Sequence, residues 1–200
     1  MEPAPVAITL RVAEALEALG VPYFITGSLA SAIYGLARST VDVDLVADLR
    51  SGQEQALRAA LGDEFYADIE AIREAVHRRA SFNLIHQETM YKVDVFVSRA
   101  RPFDKIRFER RSAKVVATDP ERKAFVATAE DVVLAKLECY QSGGEVSERQ
   151  WRDVLGVLSV QAGRLDLQYL EQWASDLGVA DLLRRALAEA GEEGKGHGPP

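Results

Sequence analysis

The stretch Phe24-Ile25-Thr26-Gly27-Ser28, followed by Val41-Asp42-Val43-Asp44-Leu45-Val46, decides how this chain is read. One apolar run ends in Gly-Ser, and the next carries two aspartates one residue apart. Aspartate is depleted from strands, so two of them inside a valine-rich strand need a reason. Strand side chains alternate between faces, which puts Asp42 and Asp44 on one face and Val41, Val43 and Leu45 on the other. Their β-carbons then lie about 6.5–7 Å apart. Carboxylates so placed repel unless a cation sits between them, and hard oxygen donors of this kind suit Mg²⁺ or Mn²⁺. A third acid, Asp94, occupies the middle of Tyr91-Lys92-Val93-Asp94-Val95-Phe96-Val97, on the face away from Val93, Val95 and Val97. Three acids on strand interiors point to a metal site.

Gly27-Ser28 stands at the end of one strand and the start of a helix reaching Tyr34. Glycine lets the backbone approach a ligand closely, and free amides with the helix dipole favour negative charge. The same pair is also an ordinary turn with an N-cap. Beside the aspartates, the turn would hold a phosphate next to a divalent metal. Two metals about 3.5–4 Å apart stabilise the attacking and leaving oxygens of an in-line displacement. Asp42 and Asp44 would bind both ions. Asp94 would complete the one nearest the attacking hydroxyl and is placed to take its proton. The reaction class is nucleotidyl transfer with pyrophosphate leaving.

At these residues the chain resembles the nucleotidyltransferases of the DNA polymerase β-like superfamily. Their signature is a hydrophobic residue and Gly-Gly or Gly-Ser, a short spacer, Asp-x-Asp or Asp-x-Glu, and a later strand aspartate. Here it reads Ile25-Thr26-Gly27-Ser28, Asp42-Val43-Asp44 and Asp94. Gly35-Leu36-Ala37-Arg38-Ser39-Thr40 resembles a bacterial branch with Arg-x-Thr before the acids, which includes the AbiEii-type toxins of toxin–antitoxin pairs. That branch carries a helix reading Glu-Asp-hydrophobic-hydrophobic-x-x-Lys, matched by Glu130-Asp131-Val132-Val133-Leu134-Ala135-Lys136. The AbiEii toxins proper are longer and commonly show Gly-Gly, a departure from Gly27-Ser28.

The resemblance implies an α/β fold (a mixed nucleotidyltransferase-type sheet flanked by helices) and a C-terminal helical region. The pattern of residues divides the chain into a catalytic domain over 1–118, helices over 119–190 and a glycine- and proline-rich tail over 191–200 that is expected to be disordered. Asp42, Asp44 and Asp94 are the expected catalytic and metal ligands. Gly27, Ser28, Arg38 and Lys136 are the expected contacts to a nucleotide such as ATP. Mg²⁺ or Mn²⁺ is the expected cofactor. The acceptor is a hydroxyl on RNA, protein or a small molecule, and a partner protein would fit a toxin–antitoxin role. The alternative is a non-catalytic nucleotide-binding or toxin–antitoxin-type interaction component.

Composition narrows the field. Two hundred residues are enough for a sizeable core, and the single Cys139 excludes an internal disulfide. No apolar run reaches about 18 residues, and the opening Met1-Glu2-Pro3-Ala4-Pro5 lacks a basic signal region, so a cytoplasmic protein without membrane attachment is expected. The net charge of −7 argues against broad nucleic-acid binding. Yet Arg99, Arg101, Lys105, Arg107, Arg110, Arg111 and Lys114 crowd one stretch, with Arg73, His77, Arg78 and Arg79 upstream. They read either as a solvated face or as a positive rim near the acidic centre.

Patterning predicts a helix over 8–19, strands over 21–26, 41–46, 81–86 and 91–97, and a final strand over 114–117. Helices are expected over 53–60, 128–140, 147–158, 167–176 and 180–190. Residues 61–79 show no clear period. Within the 128–140 helix, Lys136 falls in an apolar arc with Val132, Val133 and Tyr140. It can reach a phosphate or snorkel to solvent.

Overall fold

The apolar runs flanking Gly27 become strands of a seven-stranded mixed sheet in the computed structural model, which describes residues 4–36, 43–118 and 120–196. Tyr23–Thr26 forms β1 and Gly27–Tyr34 the helix α2, after an opening helix α1 over Ala4–Ala18. Val43–Ala47 is β2, and α3 covers Glu54–Leu61. The two-residue strand Phe65–Tyr66, β3, precedes α4 over Ile69–Arg78. Ser81–His86 and Lys92–Val97 are β4 and β5, α5 spans Pro102–Arg110, and β6 and β7 span Ser112–Thr118 and Glu121–Val126. The spatial order is β3-β4-β5-β2-β1-β7-β6.

Register explains how this sheet presents acids. β2 runs antiparallel to β1, pairing Asp44 with Thr26, and parallel to β5, pairing Asp44 with Asp94. β5 runs antiparallel to β4, pairing Asp94 with Asn83. Directly paired residues share a face. One face is therefore Ile25, Val43, Leu45, Ala47, Val93, Val95, Val97, Phe82 and Leu84, all buried. The other carries Thr26, Asp44, Asp94 and Asn83 in one row, with Phe24, Val46, Phe96 and Ser81 in the next. Helices α1, α3 and α4 pack on the sheet and on one another. α5 covers Phe24, whose ring meets Phe108 edge-on at 4.9 Å. Over β4 and β5 the acid-bearing face stays open, and Phe96 is 41% exposed.

Two compact units emerge from the contacts: residues 1–29 with 39–127, and residues 30–38 with 128–200. The sheet unit thus runs past the expected boundary at 118. β7, over Glu121–Val126, alternates charged and apolar residues too weakly to read as a strand until β6 pairs with it. Two more elements were not legible in the pattern. α4 buries Ile72, Ala75 and Val76 under a charged outer face and is capped by Asp68, which accepts from the amides of Glu70 and Ala71. α5 starts with Pro102 at its first turn and buries Phe103, Asp104 and Arg107.

In the helical unit, α6 over Ala129–Ser142, α7 over Glu148–Val160, α8 over Leu167–Asp176 and α9 over Ala180–Gly196 pack together. Thr128, Ser147 and Asp166 cap the first three, each accepting a backbone N–H three residues on. Residues 191–196, expected as disordered tail, continue α9; 197–200 lie outside the described residues. α2 ends against α7, where a Cβ on Gly35 would meet the Gly156 and Val157 backbone at 3.0 Å.

Candidate active site

Thr26, Gly27, Ser28, Asp44 and Asp94 come together where β1 hands over to α2 and the acid strands lie beside it. Asp44 and Asp94 are partners on adjacent parallel strands, so their α-carbons are about 4.8 Å apart and their carboxylates point from the same face. Both are half-buried. Their juxtaposition is closer than the one-strand spacing that the sequence suggested for Asp42 and Asp44. Asp42 and Arg38 lie outside the described residues. Among the described residues no three of His, Cys, Asp and Glu cluster as a metal site.

Gly27 is where glycine is required. Its φ is +62°, in the left-handed region, and a Cβ built there would stand 1.9 Å from Asp44 Oδ2 and 2.6 Å from its Cγ. The missing side chain is the space that the Asp44 carboxylate occupies. Ser28 follows, buried in the first turn of α2. Lys92, two residues before Asp94 on the same face, sets its Nζ 2.9 Å from Asp94 Oδ2. A cation is already held at that carboxylate.

Arg107 belongs to the basic run that reads from sequence either as a solvated face or as a positive rim near the acidic centre. It is buried, its guanidinium 4.7 Å from the centre of the Phe24 ring and 5.3 Å from that of Phe103. Its Nη2 donates to Thr26 Oγ1 at 3.3 Å. The only advance signal was Phe103 four residues earlier, one helical turn away.

Three cations of the basic rim lie away from the acids. Arg79, Lys105 and Arg111 line a cavity of about 550 Å³ with Pro22, Asp48 and Ser98. Those last residues mark the entry to β1 and the exits of β2 and β5. Asp48 and Ser98 follow Asp44 and Asp94 by four positions, about 13 Å along the strands. The cavity and the acids occupy opposite ends of the sheet.

Lys136 and its motif serve the helical unit. Lys136 Nζ lies 2.8 Å from Asp153 Oδ2 and donates to Gln150 Oε1 at 3.2 Å; both charged side chains are over nine-tenths buried. Lys136, read from sequence as reaching a phosphate or snorkelling to solvent, forms a buried ion pair joining α6 to α7. Glu130 accepts from the Asp166 amide at 3.1 Å, and Asp131 accepts from the Tyr169 hydroxyl at 2.6 Å. Each charged residue of the Glu-Asp-x₄-Lys run thus fastens α6 to a neighbouring segment.

No family model matches the chain, and no curated protein does. Solved structures match almost end to end. ANT(2″)-Ia in complex with adenylyl-2″-tobramycin gives a TM-score of 0.57 at 11% identity, over 88% of this chain and 97% of that one. The solution structure of the antibiotic-resistance factor ANT(2″)-Ia gives 0.54 at 12% identity, over 99% and 100%. An antigenic nucleotidyltransferase-like protein from Paracoccidioides brasiliensis gives 0.55 at 18% identity, over 94% of each chain. At such identities the likeness is one of fold: this is a mixed α/β, nucleotidyltransferase-like architecture. No helix among the described residues is long and apolar enough to cross a membrane.

Proposed function

We propose that the chain is a nucleotidyltransferase, moving a nucleoside monophosphate from a nucleoside triphosphate to a hydroxyl acceptor. The observation that carries this is the Asp44–Asp94 pair on an open sheet face, beside a glycine whose missing side chain makes room for Asp44. The fold is supporting context, as is a neighbour of that fold in complex with adenylyl-2″-tobramycin.

The donor set fits a small, hard divalent ion. Two carboxylates on adjacent strands offer oxygen ligands, and one already attracts an ammonium to 2.9 Å. Asp44 and Asp94, with Asp42 from the Asp-x-Asp motif, are the residues that would hold Mg²⁺ or Mn²⁺. Such ions supply charge neutralisation of the phosphates and a more acidic attacking hydroxyl.

The remaining chemistry belongs to the chain. Gly27 and Ser28, at the start of α2, bind phosphate oxygens through backbone amides and the serine hydroxyl. Arg38, in the Arg-x-Thr segment, adds a cation for the same phosphates. The acceptor oxygen forms its bond to the α-phosphorus as the bond to the β-phosphate oxygen breaks. Pyrophosphate leaves with the electron pair, and Asp94 takes the acceptor's proton. Arg107 positions Thr26, and through it the Gly27 turn, without touching substrate.

The chain departs from the AbiEii pattern at Gly27-Ser28. Each α-labelled triphosphate, with Mg²⁺ or Mn²⁺ and a total cell extract, tests the reading beside an Asp42→Ala, Asp44→Ala double variant. Label transferred to RNA, protein or a small molecule only by the intact chain is the expected result. Equal transfer by both proteins would overturn the assignment.

A further inference from the structure

We infer that the cavity at the end of the sheet away from the acids is a second ligand site, built for a compact polyphosphate anion. Its lining brings four cations, Arg50, Arg79, Lys105 and Arg111, against two acids, Asp48 and Glu109. The whole chain carries a net charge of −7, so this local excess of positive charge runs against the average surface. Asp48 is shared by two of the cations, with Arg50 at 3.0 Å and Arg79 at 3.7 Å. Neither Lys105 nor Arg111 forms an ion pair with a described residue, which leaves Glu109 as the one acid opposing them.

The cations are set in place by different segments. Arg79 caps α4 in the left-handed region, with φ at 53°, and donates to the Ser98 carbonyl at 3.0 Å. Ala100, just past β5, also lies in that region, at φ 58°. Non-glycine residues adopt this conformation rarely, and two of the four in the described chain line this one cavity. Arg111 lies over the Phe108 and Phe125 rings, 5.7 and 4.9 Å from their centres. Its Nε is buried and has no hydrogen-bond partner among the described residues. The rings thus fix a guanidinium that forms no ion pair with an acid among the described residues.

Guanidinium forks match phosphate oxygens, and cations arriving from several segments suit an anion with oxygens pointing several ways. A volume of about 550 Å³ is of small-molecule size. A single carboxylate would satisfy one of these cations, whereas a polyphosphate engages them together. The polyphosphate is either free or the phosphate chain of a nucleotide. The site stands independently of the proposed transfer, since it uses none of the same residues and needs no metal.

Isothermal titration of the full chain with tripolyphosphate, ATP and adenosine, in EDTA and about 150 mM salt, tests this. Tripolyphosphate and ATP are expected to saturate at one per chain and adenosine not to bind. ATP much tighter than tripolyphosphate identifies the nucleotide as the source, and equal affinities the free anion. Lys105→Met is expected to weaken tripolyphosphate at least tenfold, and Lys105→Glu to abolish binding. The unfolding midpoint should not move in either, because the lysine side chain has no ion pair among the described residues. Asp44→Asn is expected to leave metal-free binding intact.

Absence of saturable binding overturns the site. So does equal binding by Lys105→Met, or loss of binding in Asp44→Asn, which would put the anion at the acid end. Tighter competition by a single-stranded RNA would reassign the cavity to a backbone track.

Discussion

Gly27→Ala places a methyl group where the Asp44 carboxylate now stands, and Gly20→Ala supplies its internal control. Both glycines sit in the left-handed region, at φ +62° and +63°. An L side chain there costs about 1–2 kcal/mol, whatever the space around it. At Gly20 that is the whole cost, since nothing lies within 4 Å of an added Cβ. At Gly27 the Cβ would meet Asp44 Oδ2 at 1.9 Å and the Asp44 Cβ at 2.8 Å. Rotating the carboxylate away cannot relieve the second contact, so the β1–α2 turn must also shift. Overpacking of this kind costs about 1–3 kcal/mol. Gly27→Ala is therefore expected to unfold in denaturant about 1–3 kcal/mol more easily than Gly20→Ala. Mn²⁺ binding, read from the free-ion resonance signal, should weaken in Gly27→Ala and not in Gly20→Ala. Nucleotidyl transfer should drop by about a hundredfold, the scale of an ångström misplacement of a reacting group. Equal stability and equal Mn²⁺ affinity in the two variants would refute the argument that Gly27 exists to make room for Asp44.

Two further outcomes follow from buried groups. Lys136→Met removes the ammonium from the buried Asp153 carboxylate in the helical unit, and breaking a buried pair from one side costs about 3–5 kcal/mol. The double variant Lys136→Met, Asp153→Leu is expected to recover most of that in equilibrium unfolding; a double variant as weak as the sum of the singles would show that the pair is not a unit. Burial, and next the hydrogen bond it donates to Glu17 at 2.6 Å, push the Tyr23 phenol above its ordinary value. A phenol raised on folding stabilises the chain fully below the unfolded value of about 10, and that contribution fades as pH climbs beyond it. Unfolding free energy should fall above about pH 10, and Tyr23→Phe should flatten the decline. An identical alkaline slope in both proteins would assign the effect to other groups.

The part of the site legible in the sequence is the part encoded by a conflict between residue and element. Aspartate inside Val-rich strands is such a conflict, and it located both Asp44 and Asp94. Gly27 was legible as a turn, but its reason was not, because the clash is with a residue 17 positions away on another strand. The partner of Lys136 was not legible for a related cause. Helical periodicity put it in an apolar arc, and a lysine there needs a partner, but periodicity on one helix cannot say that Asp153 on the next supplies it. α4 and α5 were hidden by charge: their apolar stripes are narrow, and the arginines that mask them face outward from one helix and inward, onto Phe24 and Phe103, from the other.

The strand order explains why one short sheet keeps two chemistries apart. β2 and β5 run parallel and side by side, so residues at equal depth fall in matching rows: Asp44 with Asp94 near one end, Ala47 with Val97 near the other. β1 runs the opposite way, so its C-terminal turn, Gly27-Ser28, arrives at the acid end while its entrance, Pro22, lies at the far end with Asp48 and Ser98. The two basic runs that flank β4 and β5 in sequence, ending at Arg79 and beginning at Arg99, join those strands at Ala80 and Ser98, the far end. Chain direction alone thus separates the cavity's cations from the carboxylates by about 13 Å, beyond the screening length of about 8 Å at physiological salt. Arg107 belongs to the other end. It reaches Thr26 because α5 turns back over Phe24, and burial against two rings makes it a fixed part of the acid end. Its hydrogen bond to Thr26 Oγ1, the residue before Gly27, makes Arg107 a positioning residue, whereas the far-end cations line a cavity.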